Sequence, residues 1–151
     1  MNKLSDSSLL KSAWFRWSLV LGWMAIIFAF SHQANSGTVT EEYFGVMNVP
    51  IRKMGHLGEY FILYVLTKFA IDGTTSGITK YSAIIALFFS ILYAASDEWH
   101  QSFVPGRSAS ARDVLIDSTG ALMGLISYYI ASKLYAKHQL SKAIDNNDKA
   151  A

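Results

Sequence analysis

The sequence predicts an all-α fold, an integral membrane bundle of four helices, on three observations. Of 151 residues, 52% are hydrophobic and only 16% are charged, a low charged share for a chain bathed in water. The apolar residues gather in four blocks, at 14–30, 56–71, 81–95 and 114–135. The polar residues do not recur at helical period along these blocks, as they would on the wet faces of a soluble bundle, but collect at their ends.

Each element can be justified in turn. A bilayer-crossing helix takes roughly 20 residues and at least about 17. Residues 1–13 precede the first span as a short tail. Between Trp17 and Phe30 the only polar side chain is Ser18. The basic flank (Lys3, Lys11, Arg16) and the small-x-small run Ala29-Phe30-Ser31 imitate a cleaved signal peptide. The apolar core is long for one, and no soluble domain to export follows, so an uncleaved span is expected. Residues 38–49 fit two readings equally. One is a short helix on the membrane surface, capped by Thr40 with Glu41 and Glu42 in its first turn; the other is a plain loop. The second block reaches spanning length when extended back to Arg52, and the third when extended to Gln101. The fourth spans alone. Residues 14–135 thus form one membrane domain, and the polar tail 136–151 is expected to be disordered.

The absence of cysteine excludes a disulfide framework and any thiolate metal site or nucleophile. A net charge of +2 gives no basis for nucleic-acid binding. Counted by loop, Lys3, Lys11, Arg16, Lys68, Lys80, Lys133, Lys137, Lys142 and Lys149 fall on one side, and Arg52, Lys53, Arg107 and Arg112 on the other. That bias predicts both termini in the cytoplasm.

With that topology the polar side chains converge on the outer rim. Ser31, His32 and Gln33 end span one; Arg52, Lys53, His56, Glu59 and Tyr60 open span two. Asp97, Glu98, His100 and Gln101 end span three; Arg107, Arg112, Asp113 and Asp117 open span four. Residues three and four apart share a helix face, which groups His56 with Glu59 and Tyr60, Asp97 with His100 and Gln101, and Asp113 with Asp117. The last pair runs on into Gly120-x-x-x-Gly124, a stripe that admits a close neighbouring helix. Span three carries its own small stripe, Ser82, Ala86, Ser90 and Ala94, in line with Asp97 and Glu98. The acids are therefore expected to point into the bundle, where a carboxylate needs a partner or a function. For Lys53, Glu98 and Arg112, plain solvation at the interface is an equal reading.

Three chemistries fit this rim. The first is anion recognition: the N-termini of spans two and four, with Pro50 in the first turn of one and a Ser110–Asp113 capping box on the other, join Arg52, Arg107 and Arg112. The expected anion-binding set is Arg52, His56, Glu59, Tyr60, Asp97, Glu98, Gln101, Arg107, Asp113 and Asp117. The second is a metal site drawn from His56, Glu59, Asp97, His100, Asp113 and Asp117, although no tight HExxH-type motif is present. The third is acid–base catalysis, with His56, Glu59, Asp97, His100 and Asp113 as candidates; Ser96, Ser108 and Ser110 lie nearby but read as caps.

The runs Arg52-Lys-Met-Gly-His56-Leu-Gly-Glu59-Tyr60, Ser96-Asp97-Glu98-Trp-His100-Gln101, Arg107 and Arg112-Asp113-Val-Leu-Ile-Asp117-Ser-Thr-Gly120 resemble the VanZ-like family, over most of residues 14–134. The resemblance implies a small multi-pass protein of the bacterial membrane, related to a protein associated with low-level teicoplanin resistance. Arg52, Lys53, His56, Glu59, Tyr60, Asp97, Glu98, Gln101, Arg107, Asp113 and Gly120 carry over. Asp117 departs from the family pattern, where Asn is expected, which weighs against a role needing a neutral amide there. The leading expectation is a protein of the bacterial cytoplasmic membrane whose outward site recognises an anionic envelope component, a lipid-linked precursor or a phospholipid head group. The alternatives are an enzyme hydrolysing or transferring a group on such a lipid, and a structural subunit of a membrane complex. A transporter fits less well, because the inner half offers only Lys68 and a few Ser, Thr and Tyr.

Overall fold

The computed structural model describes residues 12–34, 36–74, 79–107 and 109–150. Five helices account for most of them: α1 (Ala13–Ser31), α2 (Ser36–Phe44), α3 (Asn48–Thr74), α4 (Ser82–Gln101) and α5 (Ala111–Ala150). Among the described residues there is no strand. The fold is the expected all-α membrane bundle, in which α1, α3, α4 and α5 are the four long helices and α2 is a short connector.

Three of the helices, α1, α4 and α5, are long and apolar enough to cross a bilayer by length and composition. Helix α3 is longer than α1 or α4 but carries Arg52, Lys53, His56, Glu59, Lys68 and Asp72. Its position accounts for that composition. It packs against all three other long helices, and of these side chains Lys68 is buried, Arg52, Lys53, His56 and Glu59 are half-buried and Asp72 is exposed. The apolar side chains of the outer helices, by contrast, lie on the surface: Leu21, Phe28 and Phe30 on α1, Phe88 and Leu92 on α4, Met123 and Ile130 on α5. A water-soluble bundle would hide these residues, whereas lipid is their natural solvent.

Small residues set the helix spacing. A Cβ on Gly120 would run into the Leu57 carbonyl of α3, and one on Gly124 into the Tyr64 ring. The Gly120-x-x-x-Gly124 stripe is therefore the contact face between α5 and α3. Ser82, Ala86, Ser90 and Ala94 are all buried along α4, and the Ser90 hydroxyl donates to the Ala86 carbonyl at 2.9 Å. The core holds Val20 and Ile27 of α1, Tyr60, Leu63 and Ala70 of α3, and Ala94 of α4.

At the end opposite the rim, Arg16 donates to the Phe69 carbonyl at 2.9 Å and lies over the Phe69 ring. Lys68 is 94% buried, bonded to Asp72 and 4.0 Å from the Tyr128 ring centroid. Arg16 and Lys68, read from sequence as charges that set orientation, also hold helices together.

Two segments differ from expectation. Residues 36–44 are helical, and Thr40 is not their cap: it lies inside α2 and donates to Asn48 Oδ1 at 2.5 Å, tying α2 to the start of α3. Gly45, at φ +52°, makes the break between them. The tail expected to be disordered continues α5 as helix to Ala150. Residues 136–150 contain no Gly or Pro and several strong helix formers, so nothing local stops a helix already nucleated in the span.

Candidate functional site

The rim includes the return of the chain from α4 into α5. After α4, the Val104 carbonyl accepts from Arg107 N–H at 3.1 Å across Pro105-Gly106, with Gly106 at φ +76°. Proline at the second position and a positive-φ glycine at the third are the pattern of a type II turn. Buried Val104 anchors it, and Arg107 leaves it facing the bundle mouth. The chain then enters α5 through Ser110, whose hydroxyl accepts from Arg112 N–H at 3.2 Å. The carboxylate of the expected capping box is supplied by a different residue. Ser110 N–H donates to Glu98 Oε1 at 2.5 Å, so the reciprocal acceptor comes from α4 and not from Asp113. Glu98 is buried, which decides its case against plain solvation.

Asp97, also buried, closes α1 against α4. Its Oδ2 accepts from Ser31 Oγ at 2.6 Å and from Gln101 Nε2 at 2.9 Å, and Gln101 Nε2 also reaches Ser31 Oγ at 3.2 Å. On α3 and α5 a second cluster forms. His56 Nδ1 stands 3.4 Å from Asp117 Oδ1 and 3.8 Å from Glu59 Oε2. Asp117 is fully buried, and among the described residues no polar partner apart from this ring reaches its oxygens. Trp23 of α1 donates to the Glu59 carbonyl at 2.9 Å, pinning the same stretch of α3 from the other side.

Above these carboxylates the structure opens. A cavity of about 350 Å³ is lined by Arg52, Lys53, His56, Gln101, Arg107, Arg112 and Asp113, with Val49, Gly106 and Ser110. A second, of about 180 Å³, lies toward α1 and α2 and shares Arg52, His56 and Arg107 with the first, adding Glu59, Ser31 and Gly55. The lining of the first cavity is thus mostly basic, with Asp113 as its carboxylate, and Arg107 lines both cavities. Burial, then the charge of Arg52, lower its guanidinium below the ordinary arginine value, while Asp97, Glu98 and Asp113 act the other way.

Of the residues expected to bind an anion, Arg52, His56, Gln101, Arg107 and Asp113 line the first cavity and Glu59 the second. Asp97, Glu98 and Asp117 lie buried outside both linings. Tyr60 is fully buried in the core, 6.3 Å centroid to centroid from the Tyr93 ring, and lines neither cavity. His100 is turned to α1, its Nε2 3.1 Å from His32 Nδ1 and its ring beside Phe28; it is not the histidine that faces Asp97. Among the described residues no group of three or more His, Asp and Glu is arranged to hold a metal ion: of the expected set His56, Glu59 and Asp117 adjoin one another, Asp97 and His100 make other contacts, and Asp113 lines the first cavity. Ser96 bonds to the Tyr93 carbonyl, as a helix hydroxyl does, and Ser108 lies outside the described residues.

Two features were not legible beforehand. The Ser31–Asp97–Gln101 clasp joins residues 66 positions apart, a separation that no helical spacing encodes. The contact of His56 with Asp117 depends on the close approach at Gly120, whose partner helix the sequence left unnamed.

Comparison with curated proteins and with solved structures gives no match. The family model described as VanZ/LLP1 matches residues 14–132, most of the chain, and the protein is therefore a member of the VanZ/LLP1 family.

Proposed function

We propose that this VanZ-family membrane protein binds an anionic component of the bacterial cell envelope, a lipid-linked precursor or a phospholipid head group, at the polar end of its bundle. In this reading it lies in the cytoplasmic membrane with both termini inside, so that the cavity opens outward; the distribution of lysines supports that orientation. The observation that carries the reading is the cavity wall: Arg52, Lys53, Arg107 and Arg112 against a single lining carboxylate, Asp113. Guanidinium forks match phosphate and carboxylate oxygens in pairs, and a mouth partly shielded from water strengthens each contact.

The test is binding by protein in phosphatidylcholine nanodiscs, titrated with phosphatidylglycerol and with a polyprenyl diphosphate. Arg107→Ala should weaken the preferred anion at least about tenfold, the loss of one charge-assisted contact. In cells, variants that insert and accumulate normally should also change teicoplanin sensitivity. Unchanged binding and unchanged sensitivity in Arg107→Ala and Arg52→Ala together would overturn the reading.

A further inference from the structure

We propose that the site is also catalytic: His56, held by Asp117, acts as the general base that hydrolyses a lipid-linked diphosphate lodged against Arg52 and Arg107. This rests on the anion-binding reading and adds a reaction to it.

The geometry comes first. His56 turns Nδ1 inward, to within 3.4 Å of Asp117 Oδ1, and that nitrogen is buried. The same ring lines both cavities beside Arg52 and Arg107, so Nε2 is the nitrogen left on the cavity side. A carboxylate facing Nδ1 favours the tautomer with its proton there, which leaves the Nε2 lone pair free to accept one. Asp117 is fully buried, one of its oxygens faces His56 Nδ1 at 3.4 Å, and among the described residues neither oxygen meets any other donor. A buried carboxylate in a membrane bundle is costly unless it serves a partner.

Charge selects the substrate class. The cavity wall offers Arg52, Lys53, Arg107 and Arg112 against Asp113. A phosphodiester head brings roughly one negative charge, whereas a terminal diphosphate brings roughly two to three, closer to what the wall balances. In the step itself, a water between Nε2 and the terminal phosphorus attacks in line. Its proton passes to Nε2 as the new P–O bond forms. The bond from that phosphorus to the bridging oxygen breaks, and the electron pair stays on that oxygen, now a terminal oxygen of the lipid monophosphate. The products are inorganic phosphate and the lipid monophosphate, and His56 returns its proton to water. The leaving group departs as a phosphate oxyanion beside a guanidinium, so the step needs no separate acid. His56 is the catalytic residue; Asp117 is a positioning residue.

The experiment is phosphate release from a polyprenyl diphosphate by the full chain in phosphatidylcholine nanodiscs, with binding of the same lipid measured in parallel. The wild type should release phosphate with turnover, and His56→Gln should lose about 10²–10⁴-fold in kcat, the usual share of a general base. Asp117→Asn should lose at least about tenfold in kcat with KM and thermal midpoint little changed, a split that loss of packing would not produce. Arg52→Ala should raise KM. Normal diphosphate binding without phosphate release overturns the catalytic proposal and leaves the binding reading standing. Release that His56→Gln does not slow also overturns it. Absence of binding sinks the earlier reading itself.

Discussion

Two buried carboxylates stand at the same end of the bundle, one on α4 and one on α5, and their surroundings differ. Asp97 Oδ2 is held by a hydroxyl and an amide from α1 and from its own helix. Asp117 meets a histidine and little else. Neutral donors in fixed positions make a clasp, whose free energy is spent on joining helices. A histidine at a cavity wall makes a partner that, on the catalytic reading proposed above, exchanges a proton. On that reading the difference separates a residue that joins helices from one that positions the histidine, although both look alike in sequence as an Asp at the end of an apolar run.

The largest expected effect breaks the clasp. Asp97→Ala removes the acceptor of two buried hydrogen bonds to a carboxylate, each contributing about 1.5–3 kcal/mol, and leaves Ser31 and Gln101 with only the 3.2 Å contact between them. A stability loss of about 3 kcal/mol or more is expected in thermal unfolding followed in detergent. Asp117→Asn should cost less than about 1 kcal/mol, because it replaces a poorly solvated carboxylate with a neutral group of the same shape. Equal destabilisation by the two substitutions would abolish the distinction.

Next in size is the approach that brings Asp117 to His56. Gly120→Ala forces a Cβ against the Leu57 carbonyl, and backbone yields less readily than a side chain. The expected cost is about 1–3 kcal/mol, with α5 displaced from α3. Gly55, on the same helix as Leu57, has open space around its missing Cβ, so Gly55→Ala should be neutral or stabilise by up to about 1 kcal/mol through helix propensity. Measuring both by the same unfolding assay sharpens the comparison: a helical glycine matters here where a neighbour lies against it.

Much of this was readable from the chain. Apolar block length gave the all-α membrane bundle, and the spacing of Asp113, Asp117, Gly120 and Gly124 put the acids on a contact face. Helical periodicity reports which residues share a face, but not which helix that face meets. It therefore grouped Asp97 with His100, while the structure gives Asp97 to Ser31 and His100 to His32. It likewise offered Asp113 as the capping carboxylate where Glu98, from the preceding helix, fills that place. Long-range partners follow from helix order and rotation, which depend on tertiary packing. The second span reached bilayer length only when its polar end back to Arg52 was counted, and packing against three other long helices half-buries Arg52, Lys53, His56 and Glu59 there.

The smallest expected effect concerns Arg107, which lines both cavities beside Arg52. Burial is the larger cause of its lowered proton affinity and the charge of Arg52 the second, so both disfavour the charged form. Arginine keeps its proton over the pH range in which a protein stays folded, so the mutual influence of the two guanidiniums is read at fixed pH and not in a titration. Arg52→Ala, Arg107→Ala and the double variant form a cycle in which vesicle flotation gives the anion affinity of each. Each single variant should weaken binding, and the double variant should depart from the sum of the two losses by about 0.5 kcal/mol or more, as for charges that share one anion. Strictly additive losses would show that the two guanidiniums do not sense one another, and that the basic wall is a set of separate charges instead of one site.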